Sequence, residues 1–143
     1  MKKIALALSV FGLTALANAA DPLHGTVWKT IDDQTKQAKA LVKFTESNGT
    51  LSASIQQVLT KGEEKICTKC TGKYANKPLA GVTIVRNLKN VDGKYEGGTI
   101  VDPQTGKEYK LKGELAPGGK QLNLRGFIGV SLAGRNQTWV RAN

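Results

Sequence analysis

The chain contains one histidine, two cysteines, one methionine and four prolines in 143 residues, and aromatic residues make up only 6% of it. These scarcities exclude much chemistry. Any Ser-His-Asp or Cys-His arrangement would have to recruit His24, which lies near the start of the folding region, where order is often poor. No G-x-S-x-G elbow is present to raise a serine nucleophile. The glycines form neither a G-x-x-x-x-G-K phosphate loop nor a G-x-G-x-x-G fingerprint. Carboxylates are scattered, and the pairs Asp32-Asp33 and Glu63-Glu64 are sequence neighbours in turn-like segments, where they are solvated rather than set across a cleft. Cys67, Cys70 and His24 fall short of the four ligands of a structural zinc site. Few aromatics and dispersed lysines leave neither stacking platforms nor a basic stripe for nucleic acid. The sequence reads as a non-enzyme without cofactor or metal.

One long apolar run is present, and it stands at the beginning. Lys2 and Lys3 precede the nearly unbroken stretch from Ile4 to Leu16, and Ala17-Asn18-Ala19 then supplies small residues at the positions a signal peptidase reads. The run is shorter than the roughly 20 residues needed to span a bilayer. No cysteine follows that could carry a lipid anchor. Residues 1–19 are expected to be a cleaved signal peptide, with residues 20–143 forming one exported domain, in the bacterial periplasm by the look of the leader. The 124 residues left keep 19 basic against 11 acidic side chains, a net charge of +8. Such a surplus suits an anionic ligand or a peripheral contact with the cell envelope. The sequons at Asn48 and Asn136 would matter only in a eukaryotic secretory route.

Beyond the leader, the hydrophobic period is two. Tyr109, Leu111, Gly113 and Leu115 alternate with Glu108, Lys110, Lys112 and Glu114, the pattern of a half-buried strand. Similar runs predict about eight strands, near 26–31, 39–46, 50–59, 81–88, 94–102, 107–116, 120–128 and 136–142. Asn48-Gly49 and Asp92-Gly93 are tight-hairpin dipeptides, and Asp102-Pro103-Gln104-Thr105-Gly106 and Pro117-Gly118-Gly119 are turns. Short strands in series with no convincing helix argue for an all-β, single antiparallel up-and-down barrel, since closure removes the edges.

Residues 60–80 interrupt this rhythm. The segment is long for a connection, carries lysines at every fourth position from Lys61 to Lys77, and holds both cysteines in "ICTKCTG" (66–72). A redox pair of the thioredoxin type belongs at a helix N-terminus in a βαβ unit, and the flanks here are β-like. Export then favours a Cys67–Cys70 disulfide, which would pin the shape of this loop at the barrel mouth.

Two sets of residues carry a family resemblance. Gly25-Thr26-Val27-Trp28 and Trp139-Val140-Arg141 are similar to the early tryptophan and late basic residue of lipocalins, with two residues rather than one between glycine and tryptophan. The stretches "NKPLAG" (76–81), "YEGGTIVDPQTGKEY" (95–109), "LNLRGFIG" (122–129) and "GRNQTWVR" (134–141) resemble an exported bacterial family known as domain of unknown function 2147. That resemblance implies a lipocalin-like barrel in the periplasm or envelope and supplies no activity. Arg141 across Trp28, with Trp139, would close the barrel. Arg86, Arg125 and Arg135, with Tyr95 and Tyr109, are the candidate ligand contacts. Arg86 shares the parity of Val82, Ile84 and Leu88 and so should point inward. Two functions remain: a barrel holding a small amphiphilic or anionic, fatty-acid-like ligand, or a filled barrel whose basic loops contact anionic polysaccharide, lipid headgroups or a protein.

Overall fold

The computed structural model describes residues 19–61, 65–130 and 132–143; the proposed leader up to Asn18 lies outside them. Eight strands follow in order: β1 (Val27–Ile31), β2 (Ala38–Ser47), β3 (Thr50–Val58), β4 (Thr83–Val91), β5 (Lys94–Val101), β6 (Glu108–Leu115), β7 (Gln121–Phe127) and β8 (Gly134–Arg141). Each pairs antiparallel with its neighbours in sequence, and β1 closes on β8 through Trp28↔Arg141 and Lys29↔Val140. The fold is the closed up-and-down barrel that the period-two pattern predicts.

The turn chemistry explains the meander. Asn48 and Gly49 take φ of 52° and 77°, and Asp92 and Gly93 take 53° and 88°. Positive φ at both central residues matches the right-handed twist of the flanking strands. Connections β2–β3, β4–β5 and β6–β7 lie at one end, called the base, and β1–β2, β3–β4, β5–β6 and β7–β8 lie at the other, the mouth.

The base is packed solid. Trp28, Phe44, Leu51, Leu88, Leu122 and Trp139 are all buried there, with the Phe44 and Trp139 rings 6.1 Å apart and tilted by 43°. Residues 21–26 fold beneath as a plug, with Leu23 fully enclosed. The Trp28 indole N–H donates to Thr26 Oγ1 (2.7 Å), and that hydroxyl donates to the Leu23 carbonyl (2.6 Å), so no buried polar atom of the plug is stranded. Asp21 accepts from the Tyr95 hydroxyl, the Asn90 amide and the Leu23 N–H, each at 2.8 Å. Arg141 lies with its guanidinium carbon 6.0 Å from the Trp28 ring, the contact expected to help close the barrel.

Strand β4 departs from simple alternation. Ser54↔Thr83, Ala53↔Val85 and Leu51↔Leu88 show two extra residues in β4 opposite β3. Each is a bulge. The first turns both Ile84 and Val85 inward; the second puts Arg86 and Asn87 outside together, with Asn87 at φ 58°, before Leu88 returns to the core.

The β3–β4 connection is ordered at its cysteine end. Ile66 bridges Pro78, Cys67 N–H donates to the Lys77 carbonyl (2.7 Å), Asn76 N–H to Cys67 (3.0 Å) and Leu79 N–H to Lys65 (2.7 Å). A single 3₁₀ turn, Gly72–Tyr74, follows the Cys67–Cys70 disulfide. The Tyr74 hydroxyl, hydrogen-bonded to Thr83 at 3.0 Å, ties this turn to the outer face of β4.

Candidate ligand-binding cavity

Above the aromatic floor the barrel is hollow. A cavity of about 560 Å³ opens at the mouth, within the roughly 300–1,000 Å³ span of small-molecule sites. Trp139, Val42 and Leu124 form its floor, and Ile55, Ile84 and Ile100 its walls. These residues share the inward parity of their strands, which is why an alternating sequence yields an apolar lining. Gly126, also inward on β7, widens the space: a Cβ added there would meet only Tyr109 Cβ at 3.6 Å and Ile100 Cγ2 at 3.9 Å among side chains. Inside, Gln137 accepts from the Trp139 indole N–H (3.4 Å), and Tyr109 borders the space.

The rim is polar and is framed by two turns of the same design. Asp32-Asp33-Gln34-Thr35 joins β1 to β2, and Asp102-Pro103-Gln104-Thr105 joins β5 to β6. In both, the first aspartate carboxylate accepts from the glutamine N–H (2.9 Å in each). In both, the threonine hydroxyl accepts from the N–H two residues on, at 3.3 Å from Gln37 and 3.2 Å from Lys107. Both close with a residue at positive φ, Lys36 at 60° and Gly106 at 75°. The N–H groups of Thr35 and Gln34 hold the Asp32 carboxyl below the usual carboxylate range. Four strands apart in an eight-stranded ring, the twin turns face each other across the mouth.

Two contacts join the rim's quadrants. Arg135 on β8 pairs with Asp33 (2.5 Å), linking the β7–β8 side to the β1–β2 turn. Lys39 on β2 donates to Gln104 Oε1 (3.4 Å), and its charge adds to the lowering of the Asp32 carboxyl. The disulfide loop packs beside the second turn: a Cβ on Gly106 would come within 2.6 Å of the Lys69 carbonyl oxygen. Cys67 is fully buried, with its sulfur 3.8 Å from the Pro103 carbonyl, and Leu79 from the same loop reaches the cavity.

The structure separates the five candidate ligand contacts. Tyr109 and Arg135 line the cavity. Tyr95 is buried near the base, where burial and the Asp21 carboxylate push its hydroxyl far above the ordinary tyrosine range. Arg125 lies on the outer face of β7, donating to Asn136 (2.7 Å) and the Leu132 carbonyl (3.2 Å). Arg86, expected to point inward, is exposed on the outside and stacks 5.8 Å from the Tyr74 ring. The first β4 bulge is the reason: it shifts the parity that Val82 and Ile84 had set. Lys39, Gln34, Gln104 and Gln137 are site residues not singled out by their sequence. The repeated D-x-Q-T at 32–35 and 102–105 was the available signal for two of them.

His24 lies at the base, where its Nδ1 accepts from the Glu46 N–H (2.9 Å), far from the cavity. Among the described residues no three His, Cys, Asp or Glu side chains converge as a metal site, and no helix is long and apolar enough to cross a membrane.

Residues 26–141, from the base plug through the last strand, match a family described as an uncharacterised protein conserved in bacteria, DUF2147. The chain belongs to this family. The DUF2147 barrel is also similar in structure to protein HP1028 from the human pathogen Helicobacter pylori, described as belonging to the lipocalin family. The TM-score is 0.74 at 22% identity, over 87% of this chain and 85% of that one. The likeness establishes a lipocalin-like fold. No curated protein matches the sequence.

Proposed function

We propose that this DUF2147 protein is exported, loses residues 1–19, and carries one small amphiphilic molecule in the 20–143 barrel without transforming it. One observation carries the reading: an apolar cavity of about 560 Å³ is sealed at the base by packed aromatics and open at a polar rim. A hydrocarbon chain would lie along Ile55, Ile84 and Ile100, and its head would stay at the rim, where Lys39, hydrogen-bonded to the neutral Gln104 amide, offers a cation. A carboxylate or phosphate head is favoured by that charge. Placement of the head at Lys39 rather than at the three arginines follows from Arg86 and Arg125 lying on the outer face and from Arg135 being paired with Asp33. The lipocalin-like barrel is an architecture able to enclose one small ligand. Among the described residues the cavity brings together no nucleophile with a positioned base, which supports a carrier over an enzyme. A barrel filled by its own side chains is the less supported alternative, because the packed region stops at the floor of the cavity.

Export rests on the leader-like sequence of residues 1–19. The test takes protein from the periplasmic fraction of expressing bacteria, reads its N-terminus, and analyses it by native mass spectrometry. A mass beginning at Ala20 and a co-purifying amphiphile are expected. Fatty acids should displace a fluorescent fatty-acid analogue, with Lys39→Gln weakening carboxylates about tenfold and leaving the matching alcohols unchanged. A panel of carboxylate, phosphate and alcohol amphiphiles that neither binds nor shifts the melting temperature would sink the carrier reading.

A further inference from the structure

The mouth has a second character that ligand binding does not use. Among the described residues, six large apolar side chains are strongly exposed: Ile66, Val91, Ile128, Val130, Leu132 and Val140. Four of the six belong to two mouth connections. Ile128, Val130 and Leu132 (62%, 69% and 90% exposed) form the tip between β7 and β8, and Ile66 (50%) sits in the disulfide loop between β3 and β4. Those connections stand on opposite sides of the opening, alternating with the twin D-x-Q-T turns. Ile128 both lines the cavity and faces outward, so the apolar lip continues the apolar wall.

Charge accompanies the apolar residues. The β3–β4 connection carries Lys61, Lys65, Lys69, Lys73 and Lys77, all exposed, against Glu63 and Glu64 in its sequence, and Lys65 and Lys69 flank Ile66. Base segments carry Asp21, Asp92 and Lys120, a net of −1, whereas the mouth connections carry seven lysines against Asp32, Asp33, Glu63, Glu64 and Asp102, a net of +2 that comes from the β3–β4 connection. Apolar side chains on both connections, with lysines around Ile66 on one of them, have the composition of an interfacial anchor, in which hydrocarbon enters the headgroup boundary and ammonium groups meet anionic lipid. A second copy is a poor occupant, since docking mouth to mouth would bury the apolar lip without giving the lysines of the β3–β4 connection an anionic partner.

We propose that the mouth is a membrane-docking face, which sets the opening of the cavity against a bilayer bearing anionic headgroups. Ile66 anchors one side and the Ile128–Leu132 tip the other, and the lysines hold the barrel upright on the surface. The inference goes beyond the carrier reading and does not depend on the cavity being loaded.

Co-sedimentation tests it, using processed protein with phosphatidylcholine vesicles and with mixed phosphatidylcholine–phosphatidylglycerol vesicles. The protein is expected to sediment with the anionic vesicles only and to be released by about 0.5 M NaCl. Val130→Asn/Leu132→Asn and, separately, Ile66→Asn should each weaken binding about tenfold without changing the melting temperature, and Lys65→Gln/Lys69→Gln should weaken it similarly. In a Val130→Trp variant, lipids brominated on their acyl chains should quench the added emission. Equal binding to neutral vesicles, undiminished binding by the Asn variants, or no binding to anionic vesicles overturns the proposal. Loss of a self-association by the same Asn variants would assign the lip to a second copy and overturn it as well. A variant with a plugged cavity that still docks separates this proposal from the carrier reading.

Discussion

Gly126 offers the sharpest test of the cavity, because the wall is open at that position and closed at another inward glycine on the neighbouring strand. A Cβ at Gly126 stays in ordinary contact range of Tyr109 and Ile100, whereas a Cβ at Gly113 would stand 2.6 Å from Leu124 Cδ2 and 2.8 Å from the Asn123 carbonyl oxygen. Gly126→Val therefore places an isopropyl group in the cavity, and Gly113→Val drives one into packed atoms. Burying a valine fully is worth about 1.5–3 kcal/mol, and a half-wet cavity returns about half of that. Replacing a strand glycine adds roughly 0.5–1 kcal/mol through the unfolded chain. Gly126→Val is thus expected to stabilise by about 1–2 kcal/mol, or about 3–8 °C in Tm for a domain of this size. Gly113→Val should destabilise by about 2 kcal/mol or more. Urea unfolding and a thermal scan read both. The same Gly126→Val protein should lose at least about tenfold in affinity for the fluorescent fatty-acid analogue, since the added group occupies the path of its chain. A stabilised variant that binds as well as the parent would show that the ligand sits elsewhere. A destabilised one would show that Gly126 is not the open wall described here.

Three further outcomes follow from other parts of the barrel. Gly106→Ala meets both a positive φ and the Lys69 carbonyl at 2.6 Å, so it should cost at least about 2 kcal/mol, measured by urea unfolding, and loosen the disulfide loop. Reducing Cys67–Cys70 should lower global stability by about 2 kcal/mol or less, because the closed loop is short, yet speed tryptic cleavage at Lys69 and Lys73 several-fold. Tyr95 stays protonated in the fold well above the pH at which it ionises in the unfolded chain. Only the unfolded state then loses its proton as pH rises past about 10, so stability should fall there, and Tyr95→Phe should remove that part of the alkaline decline in pH-dependent urea titrations.

The strand order and the hairpins could be read from the sequence because local signals and global closure agree. Asn48-Gly49 and Asp92-Gly93 need positive φ and have it, and the alternation of Tyr109 to Leu115 survives unbroken in β6. Strand β4 differs from its expected 81–88 by running from Thr83 to Val91, and its parity differs too, which is why Arg86 is expected inside. A bulge adds a residue without any marker in composition, so parity counted from Val82 holds at Ile84 and fails by Arg86. The cavity could not be read either. Leucine, isoleucine and valine pointing inward look alike whether they touch across the barrel, as Leu88 and Leu122 pack the base, or stand apart, as Ile55 and Ile100 border the cavity. Lys39 reads as an ordinary surface lysine, since its contact with Gln104 from another turn is a property of the rim's assembly. The D-x-Q-T repeat was visible all along, but its meaning needed the matched hydrogen bonds that fix both turns in one shape.

The magnitude of the cavity decides its state. An empty, dry void costs about 24 cal/mol per Å³ when its walls cannot relax, which for 560 Å³ is on the order of 10 kcal/mol. Domains of this size have total stabilities of about 5–15 kcal/mol, so such a void would consume most of the margin. The barrel walls cannot collapse to relieve it, because the β1–β8 closure fixes their circumference and the aromatic base holds them apart from below. The space must instead be occupied. Water can enter at the rim, where Asp33, Gln34, Lys39 and Gln104 can bond it, but it finds few polar partners against Ile55, Ile84 and Ile100. The amphiphile proposed above would satisfy both regions at once, polar at the rim and apolar within. The same division between a wet rim and a dry wall that makes water a poor filler makes a hydrocarbon chain with a charged head the better one.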